Sequence, residues 1–311
     1  MAFAGIIGPS IPIDEVYEGN MNAQKIALLT DTGTNTPASF IEEHDIRVAP
    51  LLITYSDGTT YQSGIDITPA QLVARFAEEV PKTSLPSPQT IRTLLEQAKA
   101  DGYERAVFVT ISSGLSATCQ TVRLIAEQMP GFPVIVVDSL SIGVAAGMVV
   151  MAAADMIEHD VPFRSLQRKL DDLVDKTRVF FSTKTLDYLR KGGRISEPVY
   201  RLGSMLNIKP VITCNEAGHY VVARKVRGWE RSLEAEVRLV EEFVREREFS
   251  RVRLAVCCSD ADDYFEMMEG RLHTVMDELG VEIESIVRSD VSADLLVHTG
   301  PDLVGIGVQG L

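Results

Sequence analysis

The sequence is poor in the features that announce most chemistries. Its four cysteines, Cys119, Cys214, Cys257 and Cys258, form no CxxC pair and share no metal-ligand spacing with the five histidines. They read as small hydrophobes in a reducing cytosol, and no metal site is expected. Cys257 and Cys258 are adjacent in an apparent strand (LAVCC), so their side chains should point to opposite faces. Basic residues are scarce: 30 Lys and Arg stand against 44 Asp and Glu, a net charge of −14. That balance argues against a nucleic-acid binder and against spontaneous docking on anionic bilayers. No apolar run approaches the roughly 20 residues of a membrane helix, so stable membrane insertion is not expected. The opening segment carries Asp14, Glu15 and Glu18 without early Lys or Arg, which is unlike a signal peptide. Residues 1–24 are taken as an extension ahead of a cytoplasmic protein. Walker A, HExxH, EF-hand and GxSxG patterns are missing. Gly305-x-Gly307-x-x-Gly310 fits the dinucleotide fingerprint by letter, but no helix follows it, so it is rejected and no cofactor is expected.

What is present is a globular composition, 45% hydrophobic over 311 residues, enough for one large core or two of about 150 residues each. Short buried strands alternate with helices through the first half. KIALLT (25–30), RAVFVTI (105–111) and FPVIVVDS (132–139) read as strands; 69–79, 88–99 and a Gly/Ala-rich stretch to about Glu158 read as helices. Such runs imply a mainly parallel sheet covered on both faces. The second half mixes hairpins with crossovers. A helix at 163–175 leads to VFFST, IKPVITC (208–214) and HYVVARKV (219–226) flank the hairpin signal NEAG, and a strand, RVRLAVCC, follows the long helix 229–248. The fold class is therefore α/β with two α/β domains, 25–175 with a mainly parallel sheet and 176–311 with a mixed one.

Four segments could carry chemistry. Thr83-Ser84-Leu85-Pro86-Ser87-Pro88 is either a helix cap or a set of donors aimed at an anion near a helix start. Ser112-Ser113-Gly114-Leu115-Ser116 follows a strand, where ligands bind in parallel α/β sheets, and is otherwise a capped turn. His298-Thr299-Gly300-Pro301 places a histidine before a turn, as a structural hydrogen-bonder or as a group reaching into a site. Leu189-Arg190-Lys191-Gly192-Gly193-Arg194-Ile195 clusters cations on an acidic protein, as a solvated helix end or as a docking or anion site.

Taken in order, these segments resemble the DegV family over about residues 25–310. The opening turn of that family looks like Thr30-Asp31-Thr32-Gly33-Thr34-Asn35-Thr36-Pro37. TSxPS matches Thr83 to Ser87, SSGLSGT matches Ser112 to Thr118, and DSxS is Asp138 to Ser141. YLRKGGRIS runs from Tyr188 to Ser196, LNIKPV from 206 to 211, KVRG from 225 to 228 and HTGP from 298 to 301. Departures are Thr32-Gly33, Asn35, Gly143, Ala145 and Asp302.

The resemblance implies a non-catalytic protein that buries one long-chain fatty acid in a tunnel. Thr83 and Ser113 would hydrogen-bond its carboxylate, His298 would complete the polar end, and Ser112 and Ser116 would be neighbours. In relatives that serve as the fatty-acid-binding subunit of bacterial fatty acid kinase, a separate kinase receives the acyl chain for acyl-phosphate formation. Arg194 and Arg227 would then face that partner, with a monomer as the default state. Two other readings stay open: a serine-dependent acyl hydrolase using Ser113 and His298, and a lipid-responsive regulator.

Overall fold

A computed structural model of the chain describes residues 21–204, 208–259 and 262–311. The extension expected at 1–24 and the start of the LNIKPV motif lie largely outside the described residues.

The first strand, β1 (Ile26–Asp31), is buried at every position, as a strand covered on both faces must be. It is followed by α1 (Ala38–Glu43), β2 (Arg47–Ala49), β3 (Leu52–Thr54), β4 (Thr60–Gln62), α2 (Pro69–Arg75) and β5 (Lys82–Ser84). Then come α3 (Pro88–Ala100), β6 (Arg105–Thr110), α4 (Thr118–Ala126), β7 (Val134–Asp138), α5 (Gly143–Glu158) and α6 (Phe163–Asp175). Strands β2, β1, β6 and β7 form, in that order, an all-parallel sheet. Side-chain alternation divides its two faces. Ala27 and Leu29 pack toward Ile91 and Leu95 of α3 and Val122 of α4, whereas Ile26 and Leu28 pack toward Val149 of α5 and Leu166 of α6.

The second half holds β8 (Thr177–Thr183), α7 (Asp187–Lys191), α8 (Glu197–Ser204), β9 (Val211–Cys214) and β10 (Tyr220–Arg224). It ends with α9 (Trp229–Glu246), β11 (Arg251–Cys258), α10 (Asp262–Leu279), β12 (Glu282–Asp290), α11 (Ala293–Thr299) and β13 (Leu303–Gly310). These strands build a six-stranded sheet ordered β10-β9-β8-β13-β11-β12, antiparallel except for the β11–β12 pair. The expected mixed sheet is therefore present. Cys257 faces one core and Cys258 the other, as their adjacency required.

Helix α5 lies between the two sheets, which explains its Gly/Ala-rich, all-round apolar sequence. Val149, Val150 and Ala153 face the parallel sheet, while Val144, Ala145 and Met148 face Val179, Phe181 and Ala255 of the mixed one. Close approach on both sides depends on glycine. A Cβ at Gly147 would stand 2.8 Å from the Thr34 carbonyl oxygen, and one at Gly307 2.8 Å from Met148 Sδ. The outer face of the mixed sheet is covered by α9 and α10, giving alternating helix and sheet layers.

Several elements have no counterpart in the sequence reading, among them α1, β2, α8 and the two features that follow. Strands β4, β3 and β5 form a small antiparallel sheet in which Ile53 pairs with both Tyr61 and Thr83. The short helix α11 joins the same core as Ile53 through Leu295, Leu296 and Val297. Gly300, with φ +73°, ends α11 immediately before Pro301. Among the described residues no helix is long and apolar enough to cross a membrane.

Candidate functional site

The site is assembled where β5, the turns after β6 and β7, the end of α7 and helix α11 converge. The β6 turn is fixed first. Asp31 accepts from the Gly33 and Ile111 amides, both at 3.0 Å, and burial pushes its carboxyl up to about 7, with the Asp294 charge adding to the shift. Asp138 accepts from the amides of Ser113 (3.0 Å) and Leu140 (3.1 Å), tying the β6 and β7 turns together. Ser112 is buried; its hydroxyl donates to the Gly218 carbonyl at 2.9 Å and accepts from the Gly114 amide at 3.0 Å. The Ser-Ser-Gly turn therefore seats the β9–β10 hairpin. Gly114 is required for that contact, because a Cβ there would stand 2.6 Å from the Ala217 carbonyl oxygen.

Thr83 and His298 meet opposite this turn. Thr83 Oγ1 lies 2.6 Å from His298 Nε2 across 215 residues of sequence. The cap of α3 is supplied by Ser87, whose Oγ accepts from the Thr90 amide at 2.9 Å, so Thr83 is released from that duty. His298 keeps a little surface, but its Nδ1 is sealed and has no hydrogen-bond partner among the described residues. Burial and, secondarily, the nearby Arg194 charge hold its imidazole down to about 3, so it is neutral at physiological pH. Its ring lies against Gly192: a Cβ at that residue would fall 2.0 Å from Nδ1. Arg194 itself donates from Nη1 to the Gly192 carbonyl and from Nη2 to the Leu115 carbonyl at 3.4 Å.

Thr83, Leu115, Ser116, Arg194, Asp294 and His298 line one cavity of about 40 Å³. A second, of about 30 Å³, is apolar, with Val179, Phe181, Cys257, Val291 and Leu303 in its wall. The two share Ile142, Tyr220, Leu295 and Thr299. One end of the combined space thus carries hydroxyls, an imidazole, a cation and the Asp294 carboxyl, and the other carries hydrocarbon.

Of the residues anticipated from sequence, Thr83, Ser116, Arg194 and His298 line the first cavity. Ser112 is committed to the hairpin. Ser113 is half-buried on the same turn, outside that lining. Arg227 is exposed, bridged to Ile208 just before α9, and is not part of the cavity. Sequence reasoning missed Tyr220 and Asp294. The spacing of Asp294 and His298, four residues apart, places them on one helix face, but that signal is visible only once α11 is known to be helical. The Asp294 carboxyl is buried, with its Oδ1 and the Ser63 hydroxyl 2.5 Å apart, and burial raises its pKa.

Comparison with known proteins gives one answer over the same span. A DegV domain-containing protein of Clostridium perfringens is 32% identical over 289 residues, covering 92% of this chain and 99% of that one. A protein of Thermotoga maritima named fatty acid-binding protein is 29% identical over 294 residues, 92% of this chain and 98% of its own. The solved structure of a DegV family protein from Thermus thermophilus, described by its fatty acid binding, superposes with a TM-score of 0.83 at 28% identity, over 92% of this chain and 99% of that one. The family model described as "Uncharacterised protein, DegV family" matches residues 25–310, and the chain accordingly belongs to the DegV family.

Proposed function

We propose that this protein binds one long-chain fatty acid, with the carboxylate at the Thr83–His298 end and the tail in the apolar cavity. The observation that carries the reading is the 2.6 Å contact between Thr83 and a neutral histidine in a cavity that shares four wall residues with a hydrocarbon-lined one. Each buried methylene contributes roughly 0.8 kcal/mol, so the tail supplies the affinity. The carboxylate is the costly group to bury and needs donors already in place. Thr83, the Ser113–Ser116 turn and Arg194 are those donors. Both cavities have room for little more than a water. Tail entry therefore parts the side chains between them, Ile142, Tyr220 and Leu295.

The likeness to the fatty acid-binding protein of Thermotoga maritima and the Thermus thermophilus structure supports this reading. A hydrolase built on Ser113 and His298 is disfavoured by geometry, because Nε2 is engaged by Thr83 and Nδ1 is covered by Gly192. We propose further that the bound acyl carboxylate is presented to a separate kinase, with Arg194 and the exposed Arg227 on the side that meets it. Native mass spectrometry of the purified protein, followed by denaturation and extraction, tests the first step. A stoichiometric fatty acid, or uptake of added palmitate or oleate, is expected. A protein that is empty and refuses both removes the reading. Capture of a kinase by the loaded protein, weakened in Arg227→Ala, tests the second step, and unchanged capture overturns the role of Arg227.

A further inference from the structure

A neutral imidazole carries its proton on one ring nitrogen, and the identity of that nitrogen decides what its partner can offer a ligand. The Nδ1 edge of His298 faces the backbone of Gly192, so closely that a side chain there would begin 2.0 Å from Nδ1 and 2.7 Å from Cε1. Both polar groups of Gly192 already have a partner, and neither makes a hydrogen bond to Nδ1. Its amide donates to the Tyr188 carbonyl at 2.8 Å, and its carbonyl accepts from Arg194 Nη1. Among the described residues a proton on Nδ1 would therefore be a buried donor without an acceptor, close to a guanidinium cation. A lone pair on Nδ1 tolerates the Cα–H of glycine and is favoured by the same cation.

We propose, on the reading of Thr83 as a carboxylate-binding hydroxyl, that Gly192 is a positioning residue that holds His298 as its Nε2–H tautomer, so that His298 donates to Thr83 and the Thr83 hydroxyl proton is left for the ligand. A carboxylate has only lone pairs to present, and this arrangement meets it with a donor. The opposite tautomer would draw the Thr83 proton onto Nε2 and turn oxygen lone pairs toward the carboxylate. The relay also polarises the hydroxyl, because a group that accepts one hydrogen bond donates the next more strongly. The two glycines of the motif have separate tasks: Gly192 clears the space for His298, and Gly193 takes a φ of +69° at the turn.

Long-range proton–nitrogen spectra of the full chain labelled with ¹⁵N-histidine read the tautomer directly, with the His298 signals assigned by their loss in His298→Gln. At pH 7 we expect a protonated Nε2 and an unprotonated Nδ1. A protonated Nδ1, or averaged tautomers, overturns the proposal. In Gly192→Ala the ring should be displaced, its two tautomers should average, and palmitate should bind at least about tenfold more weakly. A single unchanged tautomer with unchanged affinity in that variant also overturns it. Should Gly192→Ala not fold, Thr83 variants keep the question open to measurement. Thr83→Ser should recover the affinity that Thr83→Val loses, and the Val variant alone should shift the Nε2 signal; equal behaviour of the two sinks the relay. A chain that shows the Nε2–H tautomer but binds no palmitate removes the fatty-acid reading and leaves the tautomer standing. One that binds palmitate with a protonated Nδ1 does the reverse.

Discussion

Asn35 holds the amide of Ser292 on its side-chain oxygen at 2.7 Å, joining the first turn of the chain to the start of α11. Its Nδ2 donates to the Asp290 carbonyl at 2.7 Å and to Ser289 Oγ at 2.9 Å, and its backbone is left-handed, with φ +50°. Asparagine suits such a position because it tolerates this conformation and satisfies three groups at once. Asn35→Ala leaves the Ser292 amide unpaired in a partly buried site, at a cost of about 1–3 kcal/mol. A melting temperature lower by several degrees is expected. An unchanged melting curve would show that water replaces the amide.

The hydroxyls of the β6 turn are not equivalent. Ser116 Oγ is already 2.8 Å from Thr118 Oγ1 and accepts from the Thr118 amide, whereas the Ser113 hydroxyl, outside the cavity lining, has no partner among the described residues and is free to turn toward a carboxylate. On the carboxylate assignment Ser113→Ala is expected to weaken palmitate binding by about 1–3 kcal/mol, as for a lost hydrogen bond to a charged group, and Ser116→Ala by less. Titration calorimetry of each variant, and of Ser113→Ala with Thr83→Ala, measures the split. Full affinity in the double variant removes the carboxylate assignment.

Three of the four strands of the parallel sheet were legible as short apolar runs, of which β1 and β6 are buried almost throughout, and α5 because its small apolar residues exclude a surface role. The hairpin at NEAG was legible from its turn chemistry. What could not be read is what depends on distance in sequence. Nothing local tells that Ser112 spends its hydroxyl on Gly218, or that Gly192 is a glycine for the sake of His298. Strands β3, β4 and β5 have three residues each, too few for an alternating pattern to register. Helix α11 is seven residues long, and its Gly-Pro terminus reads as a turn alone. Thr83 and His298 were found as members of motifs; their pairing needed the fold.

His298 predicts a pH dependence whose sign is fixed. Folding holds the ring down to about 3 from an ordinary 6.5, so between those values the unfolded chain binds a proton that the folded chain does not. Its contribution to stability is complete above pH 6.5 and is lost as pH falls toward 3. Asp31 acts in the opposite sense. Its carboxyl is raised from 3.8 to about 7, so the stability it contributes at low pH is lost as pH rises through 7. The two slopes overlap, so the informative quantity is a difference between proteins. Urea unfolding of His298→Gln from pH 4 to 7 should show a stability curve less acid-sensitive than the parent. Parallel curves would mean that the ring takes up its proton alike in the folded and unfolded chains.

Glu236 offers a way to stabilise the protein away from the site. It lies on α9, fully buried in the face packed on the mixed sheet, and neither carboxyl oxygen has a hydrogen-bond partner among the described residues. Burial raises its pKa well above the usual carboxylate range, and the Ser182 hydroxyl is the neighbour that favours its charge. An acid raised in this way stabilises the fold at low pH and withdraws that support as pH rises through its folded value. Glu236→Met fills the same space with apolar atoms and removes both the unpaired oxygens and the titration. An increase of about 1–3 kcal/mol is expected, read as a melting temperature higher by a few degrees. The gain should grow with pH, because the parent loses stability in that direction and the variant does not. Palmitate affinity should be unaffected, since Glu236 is not among the residues that line either cavity. A variant that is less stable at every pH would mean that the carboxyl holds Ser182 in a bond the fold depends on.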